Sequence, residues 1–288
     1  MKRNTRVLPS CVVFAVAALL LTPSPRVRAQ AQTASVSFTT QITPTTGISE
    51  PVRGLPFYLL RKSFAQIQAE AEASVPVPDM EKFIDSQNVS KQLIAWMHKH
   101  HTVTLSGEDF ARNLTAEEIL NIPEFWQGYY EINAGTKRSG FPLPKYKESD
   151  RVKNPAKYQR EVADYHDRVI KFINLNPDSK EEMDEEFMSI DPSPQWNDKI
   201  AMRSATIHRM ALDWAQSRYL VEETQTDVNG RAEFMGVPAG MYWISSLNID
   251  GRVGDIEEKW DVPVAVHAGA SMQMVLTNYN AVPSKSMS

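Results

Sequence analysis

Two stretches with the period of β-strands lie at opposite ends of this chain, and neither is long enough to fold alone. Near the N-terminus Val36, Phe38, Thr40 and Ile42 alternate with polar neighbours, and Val52 to Leu60 continues with aliphatic and aromatic residues. Near the C-terminus Tyr219 to Thr226, Arg231 to Phe234, Met241 to Ile249, then Val262, Val264, Val266 and Met272, Met274, Leu276 repeat the pattern between turn signals. Two or three strands with one apolar face are marginal in water. The two ends therefore have to close on each other.

Residues 30–62 and 218–283 together hold about a hundred residues, the size of an immunoglobulin-like sandwich. The expectation is an α+β chain: an antiparallel β-sandwich, discontinuous in sequence, interrupted by a helical insertion domain over 63–217. Within the insert, helix starts are read at Ser63 with Gln66, Ser106 with Asp109, Thr115 with Glu118, and Ser179 with Glu182. Asn154-Pro155 supplies a cap and a first-turn proline before the helical series Tyr158, Val162, Tyr165, Val169, Phe172, Ile173. Trp196, Ile200, Ile207, Met210 and Trp214 form a second such stripe. Gly135 to Asp150 reads as a surface loop, and Pro56 argues for an edge or a bulge in its strand.

The segment Thr226-Asp227-Val228-Asn229-Gly230-Arg231-Ala232-Glu233-Phe234, followed by Val237-Pro238-Ala239-Gly240-Met241-Tyr242-Trp243-Ile244, resembles the carboxypeptidase regulatory-like modules. The resemblance implies a transthyretin-like sandwich, a module that assists, spaces or binds and has no catalytic residues of its own. It also implies inward-pointing Phe234 and Tyr242, with Gly230 and Gly240 at positive-φ turn positions. The helical insert resembles no family.

Residues 1–29 have a different character. Lys2, Arg3 and Arg6 precede an apolar run from Cys11 to Leu21 and a Val27-Arg28-Ala29 site, the pattern of a secretory signal peptide. Removing it leaves 26 basic against 35 acidic side chains and takes away the chain's one cysteine. An exported protein is expected, periplasmic or extracellular, without disulfides, with nucleic acid an unfavourable partner and no stable membrane insertion of the mature chain. Residues 284–288 are left as a C-terminal tail.

Chemistry is not announced. His98, His100 and His101 crowd one helix end, and His98, His101 and Asp109 are the candidate metal ligands. Imidazoles meeting a helix C-terminus and water are the simpler reading, since no His-Glu-x-x-His motif accompanies them. Trp126, Tyr129 and Tyr130 are the candidate ligand-binding residues, as aromatic side chains beside an open loop suit a sugar or a peptide; as core residues, Trp126 is the one expected to be most buried. The acidic run Asp178 to Asp191 lacks a calcium-loop pattern. No catalytic residue and no cofactor is identified. The reading is a non-enzymatic binding or assembly protein of the cell envelope, with a protein or carbohydrate ligand there. The alternative is an envelope hydrolase acting on glycans or peptides through the insert, and a third reading is a structural accessory subunit.

Overall fold

The computed structural model describes residues 33–45, 47–135, 140–181 and 183–282. The expected leader, residues 1–29, and the tail, 284–288, lie outside the described residues, as does Glu182. The chain opens with strands β1 (Ala34–Ile42), β2 (Glu50–Pro51) and β3 (Pro56–Leu60). Helices follow: α1 (Phe64–Ser74), α2 (Met80–Asp85), α3 (Lys91–His100), α4 (Glu108–Asn113), α5 (Ala116–Asn121), α6 (Pro123–Tyr130), α7 (Asp150–Lys153), α8 (Pro155–Leu175), α9 (Met183–Phe187) and α10 (Ser193–Trp214). Strands β4 (Leu220–Gln225), β5 (Arg231–Val237), β6 (Gly240–Ser245), β7 (Gly251–Val253), β8 (Ile256–Glu258), β9 (Asp261–Val266) and β10 (Ser271–Leu276) complete it. The molecule is α+β, with mostly antiparallel sheets.

One sheet places β1 between β5 and β10, with β2 against its end; the other runs β4-β3-β6-β9. Alternation along β1 sends Ala34, Val36, Phe38, Thr40 and Ile42 inward, where they share one core with Phe57, Leu59, Phe234, Tyr242, Ile244, Val264, Val266 and Leu276 from both sheets. Phe38 meets Phe57 edge to face at 5.0 Å between ring centroids. The ends of the chain thus cover each other's apolar faces.

One pairing departs from the antiparallel expectation: β10 pairs with β1 in parallel, Ser35 opposite Ser271, while β5, which follows β4 through the Asp227–Gly230 turn, pairs with β1. Turn residues reverse a chain without choosing the sheet it joins. At Asp227–Gly230 the Asp227 carboxylate accepts from the N–H of Asn229 and Arg231, each at 2.8 Å, and the turn carries the chain from one sheet to the other. Gly230 has φ +71, and a Cβ there would stand 2.5 Å from the Thr40 carbonyl oxygen. Gly240, expected at positive φ, lies instead in β6; Gly236 takes the left-handed position, φ +70. Strand β3 is central, and Pro56 is tolerated because it is the first residue, paired only with Gln225 before β6 joins at Tyr58. Strands β7 and β8 form a separate short hairpin, Gly251 opposite Glu258.

The helices divide between two cores. The α1 helix begins at a Ser63–Gln66 capping box and lies with the second half of α10 on the outer face of the β3-containing sheet, around Leu60, Phe64, Ile67, Ala71, Ala211, Ala215 and Leu247. Arg203 of α10 fastens the end of α1 by donating to the carbonyls of Glu72, Val75 and Pro76 at 3.2–3.3 Å. Helices α2 to α9 enclose a separate core with Leu93, Ile119, Phe125, Tyr129, Val169 and Phe187 at its centre. The Thr115–Glu118 capping box and the Asn154 cap before Pro155 stand where the sequence places them. Ser106 is not a cap: α4 starts from Gly107, and the Ser106 hydroxyl donates to Asp191. The stripe on α10 is shared out, Trp196 joining the helical core and Ile207, Met210 and Trp214 the sheet side, while Ile200 between them is 40% exposed. Among the described residues no helix is long and apolar enough to cross a membrane.

Candidate functional site

A cleft of about 420 Å³ opens in the helical part between the end of α3, the segment after it, α4 and α5. Its walls follow from local chemistry. Ser90 caps α3, accepting from Leu93 N–H at 3.1 Å, and is held in turn by Glu124, whose carboxylate takes its N–H at 2.6 Å and its hydroxyl at 2.7 Å. The helix stops at His101, which adopts the left-handed conformation with φ 47. The next five residues form no regular element but alternate in burial, Val103 and Leu105 entering the core while Thr102, Thr104 and Ser106 line the cleft. Phe110 and Asn113 of α4 face them.

Glu118 is the electrostatic centre of this wall. One carboxylate oxygen accepts from Trp96 Nε1 at 3.1 Å and His100 Nε2 at 3.0 Å, the other from the N–H and hydroxyl of Thr115, both at 3.0 Å. Burial pushes the carboxyl up, but the donors of Thr115, His100 and Trp96 outweigh it and hold the group down at about 2. His100 also stacks on Trp96, centroids 4.4 Å apart. A carboxylate so occupied is a fixed negative charge near neutral pH rather than a proton donor. Among the described residues that line it, the cleft presents to a ligand neutral hydrogen-bonding groups, Thr104 and Asn113 foremost, beside aromatic rings.

The sequence-derived candidates lie elsewhere. Tyr129 is fully buried, its hydroxyl 2.7 Å from Ser179 Oγ, and cannot reach a ligand. Phe125 and Tyr129 form the inward stripe of α6, leaving Trp126 half-buried, not the deepest residue of the group, and Tyr130 39% exposed. Trp126 touches Tyr130 at 5.5 Å and Tyr165 at 6.3 Å between centroids. Burial, with Tyr130 and Tyr146 nearby, pushes the Tyr165 phenol up to about 12.

The three histidines part company. His98 is wedged between carboxylates, Nε2 to Asp85 at 2.8 Å and Nδ1 to Glu81, and the Asp85 and Glu81 hydrogen bonds raise it above the ordinary imidazole value. With both ring nitrogens committed to carboxylates, it has no lone pair for a metal. His101 Nδ1 lies 3.5 Å from the same Glu81, and the side chain of Asp109 lies outside the described residues. Among the described residues no group of three or more His, Cys, Asp or Glu side chains is placed to hold a metal ion. His100, counted with its neighbours in the sequence, and Glu118, read there only as a cap, are the residues that meet at the cleft. The available signal was the polar–apolar alternation of Thr102 to Ser106 directly after a helix end.

No protein-family model matches this sequence, and no curated protein sequence matches it. Among solved structures, a protein of Pseudomonas aeruginosa described as a "putative carbohydrate binding protein" is similar over 86% of this chain and 90% of its own, at 13% identity and a TM-score of 0.26, below that of two chains sharing a fold.

Proposed function

We propose that this chain is an exported, non-enzymatic binding protein of the cell envelope, in which a carboxypeptidase regulatory-like, transthyretin-like sandwich carries a helical domain whose cleft holds a carbohydrate. The observation that carries the reading is the lining of the cleft. The Thr104 hydroxyl and the Asn113 amide stand beside Trp96 and Phe110, and Glu118, the carboxylate among the described lining residues, is saturated by its own neighbours. An uncharged polyol offers both the hydroxyls such groups bond and the C–H faces that rings accept. The module reading is supported by the burial of Phe234 and Tyr242 in the core between the sheets and by the close approach at Gly230. Export rests on the leader pattern of residues 1–29.

Titration of the mature chain with neutral oligosaccharides of cell-wall and storage type, read by amide NMR shifts, tests the reading. Shifts are expected at residues 96–118. The double variant Thr104→Val with Asn113→Ala is expected to weaken binding about tenfold without moving the melting temperature, as two ligand hydrogen bonds are lost from exposed positions. Saccharide-independent spectra across all these residues would end the carbohydrate assignment.

A further inference from the structure

A second cleft, also about 420 Å³, opens where α2 meets the start of α10. Its floor is aromatic: Phe83 of α2 and Trp196 of α10 lie 5.3 Å apart between centroids at 43°. Pro78, Ser86, one carboxylate, Asp79, and two ammonium groups, Lys82 and Lys199, complete its lining. The two cations differ. Lys82 is neutralised by Asp79 at 2.9 Å, whereas Lys199 extends over the Phe83 ring, Nζ 5.8 Å from its centroid, and among the described residues no carboxylate comes within 4.0 Å of it. In a chain with more acidic than basic side chains, an ammonium left over an aromatic floor is a local reversal of sign.

We propose that this cleft binds a small organic anion, a ring-bearing carboxylate whose charge pairs with Lys199 and whose flat apolar face lies against Trp196. Charge and ring are both required. Acetate supplies only the first and benzyl alcohol only the second, so neither fills the cleft. The volume lies within the range of small-ligand sites, and the aromatic floor gives the apolar contact that an ion pair at a half-open rim lacks. The inference does not rest on the carbohydrate reading, since it uses different residues and a ligand of opposite electrostatic character.

The test is benzoate against those two controls, on the full mature chain, followed by amide NMR. Benzoate is expected to shift residues 79–86 and 195–200 with a Kd of about 1 mM, the affinity open to so small a ligand. Lys199→Gln, on an exposed helix position, is expected to weaken it about fivefold and Lys199→Arg to leave it within about twofold. Raised salt weakens binding in the same direction. Equal binding of acetate or of benzyl alcohol, shifts indifferent to Lys199→Gln, or no shifts in these two segments would each overturn the proposal.

Discussion

The core between the two sheets and the core enclosed by α2 to α9 are held by different kinds of bond. Between the sheets, polar backbone groups are satisfied by strand ladders, and the interior is filled from both ends of the chain. In the helical part, short helices leave many unpaired backbone groups, and side chains take them up: Asp79, Ser90, Thr115 and Asn154 cap N-termini, and the Lys180 ammonium donates to the carbonyls of Arg112 and Leu114 at 2.7 and 2.9 Å. The first arrangement depends mainly on topology. The second also draws on carboxylates held below their ordinary values, Glu118 in the Thr115 capping box and Asp79 at the start of α2, so acid should loosen the helices first.

The largest effect tests the separateness of the cores. Phe57→Ala and Phe125→Ala each empty a fully buried ring site and are expected to cost about 3 to 5 kcal/mol. Hydrogen exchange should show Phe57→Ala loosening both sheets, and Phe125→Ala loosening α3 to α9 with the sheets still protected. Uniform loosening by either variant would mean one cooperative unit.

Next comes Glu118. Its folded value, about 2, lies below the ordinary 4.5, so its stabilisation is complete above pH 4.5 and is lost as pH falls towards 2. The loss is on the order of 2 kcal/mol after allowance for its partial exposure. Denaturation curves of the native chain and of Glu118→Gln should converge over that interval, and parallel curves would detach the acid response from this residue.

A smaller effect of opposite sign belongs to the sheet side. Asp261 of β9 faces the start of α1, accepting from Ala65 N–H at 3.4 Å, and its side chain is largely buried. Burial raises its pKa, so the folded state is penalised as pH rises from the unfolded value through the folded one. Asp261→Asn is expected to stabilise by about 1 kcal/mol at pH 7, since the amide oxygen still accepts and no charge is buried. Destabilisation would show that the charge is worth more to α1 than its burial costs.

The smallest effect is at His98. Its raised pKa means the carboxylate pairs support folding fully below the unfolded imidazole value and fade as pH rises through the folded one. His98→Gln should lower the melting temperature slightly at pH 5.5 and not at pH 9, with zinc content the same in both proteins. A stoichiometric zinc lost in the variant would reverse the account of this helix end.

What the sequence made legible was local. The capping boxes at Ser63 and Thr115, the Asn154-Pro155 start and the alternation of β1 each depend on residues within a few positions of one another. Sheet membership does not, and nothing near Arg231 or Ser271 indicates that both strands flank Val36. The site was obscured for a related reason. Glu118 as a cap is a four-residue fact, but Glu118 as the partner of Trp96 and His100 needs two helices brought together. On α6 the helical period was available, yet reading Trp126, Tyr129 and Tyr130 as one patch ignored that Tyr129 shares its stripe with Phe125.

The pairing of Ser35 with Ser271, 236 positions apart, also has a consequence in time. A ribosome adding about 5 to 20 residues per second needs about 10 to 50 s between the two. For most of that interval Val36, Phe38 and Ile42 belong to a strand with neither of its long neighbours yet made, since β5 emerges only shortly before β10, while the helices between can already close their own turns. The nascent chain therefore carries this apolar strand with both edges open while the whole helical part is made, and the strand has to be shielded until its partners emerge.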